Sequence, residues 1–418
     1  MLITLAPSPQ ERLRCRLVST RSVSERLADA PKVRDTILAA AAAARGVPGA
    51  DPRALAHSWL FTGPPGSGRS NAALAFAAAL VCTNTEEIGC GRCEGCRHAL
   101  AGNHTDVVRV VPDKLSISVE GMRGVVAQAA RLPTVAKHRV VIIDNADRLT
   151  TEAADALLKT VEEPPEHTVI ILCAPSTGPE DISQTLRSRC RHIYIPVPSE
   201  AEVVRVLMEE EGASEEHARL AAATSLRHIG RARKMVTSPE AQRRRAAAIQ
   251  LAEHVFFGAR AFQAAGALVK AVNKEAIDAY AEADAAEVAK LEAAIGRGAR
   301  GKGVGRATED SAPEVKRLEE DQKKRGTRRK RDMFDLVLVD LAGVYRDALV
   351  LQSQAGVPLT HPDFEGLSAE IAQRVSQEGL VECLDAVGQC RERLGQNVMP
   401  AVAFNGMLGR IRLACGVR

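Results

Sequence analysis

The sequence predicts an α/β domain built on a parallel sheet, followed by a small helical domain and a helical C-terminal domain. Up to Pro198, short continuous apolar runs alternate with helical patterns, which is typical of parallel strands covered on both faces. A glycine-rich loop, GPPGSGRS at 63–70, follows the first of these strands and precedes a helix. After Pro198 the strand signals stop, and helical patterns continue to the C-terminus.

The elements of the α/β domain can be assigned in order. Helical patterns cover about 22–46, 71–81 and 118–132. A fourth helix has Ala154, Leu157, Leu158 and Val161 at the i, i+3, i+4, i+7 spacing of one buried face, and two prolines at 164 and 165 end it. The predicted strands are 58–62 (SWLFT), 107–111 (VVRVV), 139–144 (RVVIID), 167–174 (HTVIILCA) and 191–195 (RHIYI).

Domain boundaries follow from changes in composition. We expect an unstructured N-terminal extension over 1–21, the α/β domain over 22–198, a small helical domain over 199–240 and a helical domain over 241–418. Glycine and charge dominate 296–332, which predicts a flexible insertion without a buried face. The extension is rich in Arg and Ser and poor in acidic residues, which leaves a transit peptide or an early start codon as alternatives.

Bulk composition limits the functions that are open to the chain. It has 418 residues with a net charge of +4, which fits two or three domains and is compatible with a polyanionic partner without demanding one. Aromatic residues make up only 3%, which argues against a surface that stacks nucleic-acid bases. No apolar run approaches the roughly 20 residues of a membrane span, so we expect a cytoplasmic protein with reduced cysteines.

Residues 63–70 match the phosphate-binding pattern G-x-x-x-x-G-K-[ST], except that Arg69 stands where the pattern has lysine. Gly63, Gly66 and Gly68 allow backbone N–H groups to turn towards phosphate oxygens, and Ser70 is placed to hold a magnesium ion. A guanidinium is a wide planar fork and lysine is a compact point charge, so the two cannot occupy the same space. We therefore expect nucleotide binding that is weakened or lost.

The acidic partner of such a loop is expected at the end of the third strand, where Asp144 lies. A hydrolysing site of this type has a glutamate next, but here the residue is Asn145, which cannot act as a base. Asp147 follows and is expected on the far side of the turn. These two changes, at Arg69 and Asn145, predict a chain that does not hydrolyse ATP.

Four cysteines, Cys82, Cys90, Cys93 and Cys96, have the spacing C-x7-C-x2-C-x2-C. Four thiolates suit tetrahedral Zn²⁺ and leave no open position, which predicts a structural zinc site and argues against a zinc enzyme. His98 or His104 could replace one ligand. The remaining cysteines are scattered and are interpreted as free or buried thiols.

Several of these segments together resemble a known family. ALLKTVEEPP (156–165), TLRSRC (185–190) and the four-cysteine insertion closely resemble the bacterial clamp-loader branch of the AAA+ ATPases, and the altered ATP site is typical of its stator subunits. The resemblance covers about 22–240 and is weaker over NVMPAVAFNGML (397–408), which resembles a collar segment. It implies an AAA+ domain, a lid domain and a collar domain.

The resemblance also implies a role and partners. The stator would join motor (tau/gamma) and delta subunits in a hetero-pentamer of DNA polymerase III, which places the beta sliding clamp on primed DNA. Arg189 matches the arginine finger that reaches a neighbour's ATP, whereas Arg187 and Arg191 are expected to be solvated. Arg231 in HIGRAR (228–233) matches a lid arginine that faces nucleotide, or it only packs.

Alternatives remain open at this point. The chain could be an active AAA+ motor of the same loader or a branch-migration helicase; Arg69 and Asn145 argue against both, and the cysteine cluster argues against the helicase. The basic run at 323–331 is either a solvated linker or a contact to DNA phosphates.

Overall fold

The computed structural model describes residues 21–112, 116–294 and 304–417. Most of the predicted N-terminal extension (1–20) and the start of the predicted insertion (296–303) lie outside the described residues. The described chain divides into two compact units. The first comprises 21–112, 116–222 and 227–232, and the second comprises 223–226 and 233–417.

The first half of the chain contains the strands and the shorter helices. The strands are β1 (Ser58–Thr62), β2 (Val107–Val110), β3 (Arg139–Ile143), β4 (Thr168–Ala174) and β5 (Arg191–Tyr194). The helices are α1 (Val23–Arg26), α2 (Pro31–Arg45), α3 (Arg69–Leu80), α4 (Glu94–Leu100), α5 (Val119–Ala129), α6 (Thr151–Glu162), α7 (Gln184–Arg187), α8 (Glu200–Glu211) and α9 (Glu215–Thr224).

The five strands of the described residues form one parallel sheet in the order β2-β3-β4-β1-β5. Alternate residues of a strand point to opposite faces. In β1, Trp59 and Phe61 pack against Phe76 of α3, whereas Leu60 packs into a second core with Leu157 of α6. Both faces are therefore covered, which confirms the predicted α/β class and explains why the strands are continuous apolar runs.

The remaining helices are α10 (Ile229–Thr237), α11 (Pro239–His254), α12 (Ala259–Ala294), α13 (Val304–Gln352), α14 (Glu365–Arg374), α15 (Gln377–Gly395) and α16 (Pro400–Ala414). The core of the second unit lies between α11–α16, with Phe334, Tyr345 and Phe404 all at most 1% exposed. No helix of the described residues has a stretch long and apolar enough to cross a membrane. The predicted boundaries at 198 and 240 stay predictions; residues 199–222 group with the sheet.

We expected a flexible insertion over 296–332, but the part of it that the structure describes is helical. Residues 304–332 belong to the 49-residue helix α13. Arg325 pairs with Glu287 of α12, and Arg329 Nη1 lies 3.1 Å from Asp284 Oδ2 with its guanidinium 3.5 Å from the Tyr280 ring centre. The prediction from composition missed this helix because the acidic residues that neutralise the basic run lie about 40 residues earlier in the sequence.

A buried polar network joins α11 and α13 to the loop before α14. Arg245 Nη1 and Nη2 donate to the two carboxylate oxygens of Asp363 at 2.7 Å. His361 is fully buried; Arg245 Nη2 lies 2.9 Å from His361 Nδ1, and His361 Nε2 lies 2.9 Å from the Asp340 carbonyl oxygen. His361 is therefore neutral, with Nδ1 accepting and Nε2 donating. Burial, aided by Arg245, lowers its pKa to about 4.

This network predicts that acid destabilises the second unit. The pKa of His361 is lower in the folded chain than its unfolded value of about 6.5, so the unfolded chain binds more protons between those values, and stability falls as pH drops from about 6.5 to about 4. In the wild type, protonation of His361 should lower the unfolding free energy by about 2 kcal/mol between pH 7.5 and 5. We expect the His361→Gln variant to lack this part of the decrease. Urea unfolding followed by helical circular dichroism measures this loss. His217→Gln, at an exposed site, is the control, and equal acid sensitivity in wild type and His361→Gln would contradict the assignment.

Candidate nucleotide site and cysteine cluster

The glycine-rich loop connects the end of β1 to the start of α3 and depends on its glycines for steric reasons. Gly66 and Gly68 have φ of 88° and 85°, a region that favours glycine. A Cβ at Gly66 would lie 2.6 Å from His228 Cγ, and one at Gly63 would collide with the carbonyl oxygen of Ile195. The Ser67 hydroxyl is buried in the loop without a hydrogen-bond partner.

Arg69 is the first residue of α3 and is partly buried beside several acidic groups. Its Nη1 atom is buried without a hydrogen-bond partner. Burial lowers its pKa, and the nearby groups of Cys173, Asp147 and Asp144 oppose that shift. The side chain thus places a fixed positive charge on the loop at the position where the phosphate pattern has lysine.

Asp144 directly follows β3 and is already engaged by a cation. Its side chain is 4% exposed, and Arg109 Nε donates to Asp144 Oδ2 at 2.7 Å. Arg109 lies on the neighbouring strand β2, opposite Ile142 in the register. Sequence reasoning missed this pair, although the arginine inside the apolar run VVRVV was a signal that its charge needs a partner.

Asn145 takes the left-handed conformation (φ 51°, ψ 57°) and begins a short 3-10 turn over Ala146–Arg148. Beyond it, Asp147 was expected on the far side of the turn, but it lies close enough to Arg69 for each charge to shift the pKa of the other. Burial raises the pKa of Asp147, and its Oδ1 atom is buried without a hydrogen-bond partner. The tight left-handed turn brings this carboxyl back towards the loop.

The start of α10 lies against the loop. His228 packs on Gly66 through the close approach described above, and its Nδ1 accepts a hydrogen bond from the Arg231 backbone N–H at 3.4 Å. Arg231 is therefore held one turn into the helix that touches the phosphate loop. Sequence reasoning singled out Arg231 and missed His228, whose proximity to Gly66 depends on the tertiary fold.

Arg189 lies between α7 and β5 on the surface of the first unit. It pairs with Glu162 at the end of α6, and its Nη1 donates to the Thr185 carbonyl at 2.9 Å. The neighbouring arginines are exposed but bound to the chain: Arg187 donates to the Thr177 carbonyl at 3.1 Å, and Arg191 donates to the Ala54 carbonyl at 2.7 Å. Among these three arginines, Arg189 is the one that pairs with an acidic side chain.

The four cysteine sulfurs converge on one point. All four ligand atoms lie within 4.8 Å of one another, and Cys82 Sγ lies 3.8 Å from the sulfurs of both Cys90 and Cys93. Sulfurs held at about 2.3 Å around a tetrahedral ion are themselves about 3.8 Å apart. Neither His98 nor His104 belongs to this group. The sulfur spacing is therefore compatible with a structural Zn²⁺ ion.

Backbone geometry supports the cysteine cluster. The Cys93 N–H donates to Cys90 Sγ at 3.3 Å, and the Cys96 N–H donates to Cys93 Sγ at 3.4 Å. Gly91 has φ of 72°, and a Cβ there would collide with the Arg21 carbonyl. A hydrogen bond from Cys96 lowers the pKa of Cys82, in the direction of the thiolate form that binds metal.

Comparison with known proteins agrees with the fold and the loop. Residues 49–199 match a family model described as DNA polymerase III, delta subunit. The chain is 30% identical to DNA polymerase III subunit delta' of Bacillus subtilis over 210 residues, which is 49% of this chain and 63% of that protein. It is 35% identical to subunit delta' of Escherichia coli over 157 residues, which is 37% of this chain and 46% of that protein.

Two further matches are relevant. DNA polymerase III subunit tau of Bacillus subtilis is 35% identical over 155 residues, which is 36% of this chain and 27% of that protein. A solved gamma-subunit-related protein of Thermotoga maritima aligns with 18% identity and a TM-score of 0.32, over 68% of this chain and 93% of that one. The chain spans less than two thirds of the length of these curated relatives.

The sequence matches over residues 49–199, the region that holds the sheet and the glycine loop, are to DNA polymerase III subunits of a clamp loader. Within this group, residues 49–199 match the delta family model, and the resemblance is to delta-prime subunits. The predicted relationship is confirmed over this region.

The cysteine geometry predicts one zinc ion per chain. We expect elemental analysis of protein purified without chelators to give one equivalent, and Cys93→Ser to lose it, because three thiolates and a hydroxyl bind zinc far more weakly. Removing the metal should lower the unfolding temperature, since the ion ties the α3–α4 connection together. Cys190→Ser, outside the cluster, is the matched control. Wild-type protein without zinc, or full zinc content in Cys93→Ser, would refute the site.

Proposed function

We propose that the chain is a non-catalytic stator subunit of a bacterial DNA polymerase III clamp loader. In this role it helps to load the beta sliding clamp onto primed DNA and supplies an arginine finger to a neighbouring ATPase subunit. The observation that carries the proposal is the ion pair between Asp144 and Arg109 beside a phosphate loop that already carries Arg69.

The ion pair matters because of what a working site needs from the same carboxylate. In a phosphate-loop ATPase the loop hydroxyl, here Ser70, and the acid that ends the third strand, here Asp144, hold Mg²⁺. Arg109 already neutralises this buried carboxylate at 2.7 Å. A divalent cation would have to share the carboxylate with that guanidinium, through the Oδ1 atom that has no hydrogen-bond partner, and remain close to the charge of Arg69. Both effects weaken Mg²⁺ binding at this position.

The residue after Asp144 supports the same conclusion. Asn145 has no proton-accepting carboxylate to orient an attacking water, and its left-handed backbone is used to form the turn. Asp147 does carry a carboxyl near Arg69, and burial raises its pKa, but it lies three residues after Asp144 and not at the adjacent position that Asn145 occupies. Arg69, Arg109 and Asn145 together favour a subunit without independent turnover.

Arg189 is suited to act on another subunit. Its side chain is 34% exposed and lies on the surface, where Glu162 and the Thr185 carbonyl hold the guanidinium. An arginine finger stabilises negative charge on the transferred phosphoryl group of the neighbour's ATP. We assign Glu162 as a positioning residue that holds Arg189 at the surface of the α7–β5 connection before assembly.

The partners that we propose follow from the same relationship. Motor (tau/gamma) and delta subunits would join the chain in a hetero-pentamer through the helices of its second unit, with Zn²⁺ as a structural ion in the cysteine cluster. Contact with DNA phosphates, if the basic run makes it, would use its exposed members. Arg325 and Arg329 are engaged with α12, whereas Lys323 and Lys324 are exposed.

An active clamp-loader motor is the second candidate. The observation in its favour is that a tau subunit matches this chain at 35% identity, which is as high as the match to the Escherichia coli delta' subunit. Arg69, Arg109 and Asn145 oppose it. The two candidates differ in whether the isolated chain hydrolyses ATP.

The stator proposal predicts no ATP turnover by the isolated chain and stimulation of a tau/gamma motor subunit when the complex is assembled. Arg189→Ala should remove that stimulation, because a finger contributes on the order of 10³-fold or more at the site it serves. Steady-state phosphate release measures both. Arg187→Ala, two residues away and equally exposed, should leave the rate unchanged. Turnover by the isolated chain would support the motor instead, and stimulation that survives Arg189→Ala would exclude the finger.

The ion pair gives a separate prediction. Arg69→Lys alone should not restore Mg²⁺-dependent ATP binding, but Arg69→Lys with Arg109→Leu should increase it by tenfold or more, because Asp144 is then free to hold the ion. Titration calorimetry with and without Mg²⁺ measures this. The Arg109→Leu variant has a buried carboxylate without its counter-ion. Mg²⁺ added without ATP should therefore raise the unfolding temperature of this variant more than that of the wild type. Strong binding by Arg69→Lys alone would contradict a blocking role for Arg109.

A further inference from the structure

Three histidines precede three adjacent strands at the edge of the sheet opposite the glycine loop. His57 comes directly before β1, His138 before β3 and His167 before β4. The sheet order runs β3-β4-β1, so the amino ends of these strands are neighbours. Parallel strands therefore bring together three imidazoles that are about 30 to 110 positions apart in the sequence.

The three side chains line one surface cavity with a volume of about 710 Å³. His138 is buried, with 9% of its surface exposed, and forms part of the wall. Its ring centre lies 6.1 Å from that of His167, and both His167 and His57 lie close enough to lower its pKa, after burial as the main cause. The cavity also has Glu166 and Lys137 on its lining and an apolar part formed by Leu55, Leu132 and Pro133.

The hydrogen bonds leave ring nitrogens available. His138 Nδ1 is buried without a hydrogen-bond partner, which is costly for a polar atom. His57 Nδ1 lies 3.2 Å from the Thr168 carbonyl oxygen, an acceptor, so Nδ1 carries the proton and Nε2 keeps its lone pair. A histidine that donates one N–H to a carbonyl and offers the other nitrogen has the arrangement found in metal-binding histidines.

We propose that His57, His138 and His167 form a second metal site, separate from the cysteine cluster, that binds a divalent transition cation such as Zn²⁺, Ni²⁺ or Co²⁺. Neutral imidazole is a preferred ligand of these ions. Two imidazoles on one ion, each bound at about 2.0–2.1 Å, have ring centres on the order of 5–6 Å apart, close to the 6.1 Å between His138 and His167. Glu166 is placed to complete the ligand set.

Binding requires a modest rearrangement. The ligand atoms of this group do not already lie within 4.8 Å of one another, as the four sulfurs do. His167 and Glu166 are exposed on the connection before β4, so their side chains can rotate into the cavity at small cost. Lys137 is the one cation on the cavity lining, and its Nζ points to the Arg45 carbonyl oxygen at 3.4 Å.

A bound ion would act on the stability of the sheet. It would connect the amino ends of β3, β4 and β1, whose ladder begins at these residues: the Arg139 N–H donates to the His167 carbonyl and the Ile170 N–H to the His57 carbonyl, both at 2.7 Å. The site lies at the edge away from the glycine loop, so it does not depend on whether the chain binds nucleotide or belongs to a clamp loader.

The test uses the full chain after its cysteine cluster has been filled with one equivalent of Zn²⁺. Co²⁺ is then titrated, and binding is followed by visible absorption and by calorimetry. We expect one further equivalent of Co²⁺ to bind. Its visible spectrum should indicate nitrogen and oxygen ligands and lack thiolate charge-transfer bands, and the unfolding temperature of the protein should rise. His167→Ala should weaken this binding by tenfold or more, whereas His217→Ala, at an exposed position outside the cavity, should leave it unchanged.

His167 is the primary variant because its exposed side chain can be removed without opening the core. His57→Ala provides a second measurement on the facing side of the cavity and should weaken binding to a similar degree. Absence of a second equivalent in the wild type would overturn the proposal. So would thiolate bands that show exchange at the cysteine cluster, or equal affinity in wild type, His167→Ala and His57→Ala.

Discussion

The parallel hydrogen-bonded ladder β2-β3-β4-β1-β5 is the constraint on which the rest of the first unit depends. Parallel strands need long crossover connections, and these place helices on both faces of the sheet. All the carboxyl ends then meet at one edge. The glycine loop after β1 and the acid after β3 are positioned at that edge by this ladder, whereas the surface arginine before β5 and the three histidines are positioned at the opposite edge.

Charged side chains are paired at the edge of the sheet that carries the glycine loop. A guanidinium from β2 already pairs with one oxygen of the carboxylate at the end of β3, and a second guanidinium lies on the loop. The parallel sheet and the glycine loop are present, while two guanidinium groups lie near the carboxylate of Asp144. The same principle shapes the second unit, where acids on α12 neutralise part of a basic helix that would otherwise be free to bind a polyanion.

Some features could be predicted because they are local. The five strands, the loop and the helix starts depend on apolar runs, glycine spacing and cysteine spacing, which lie within short segments. The geometry of the four cysteine sulfurs belongs to this class, since Cys82 to Cys96 lie within one short segment and the glycines fix its turns. The helix over 304–332 was missed for the opposite reason, because its neutralising partners are distant in sequence.

The sequence by itself determined the α/β class, the altered phosphate loop and the four-cysteine cluster, because each is a short-range pattern with a direct chemical meaning. Tertiary structure alone decided which charges meet. Arg109 reaches Asp144, His228 packs on Gly66 and Asp147 turns towards Arg69 only because strand order and turn geometry bring them together. These contacts join residues from separate elements, and no local periodicity specifies which element lies beside which.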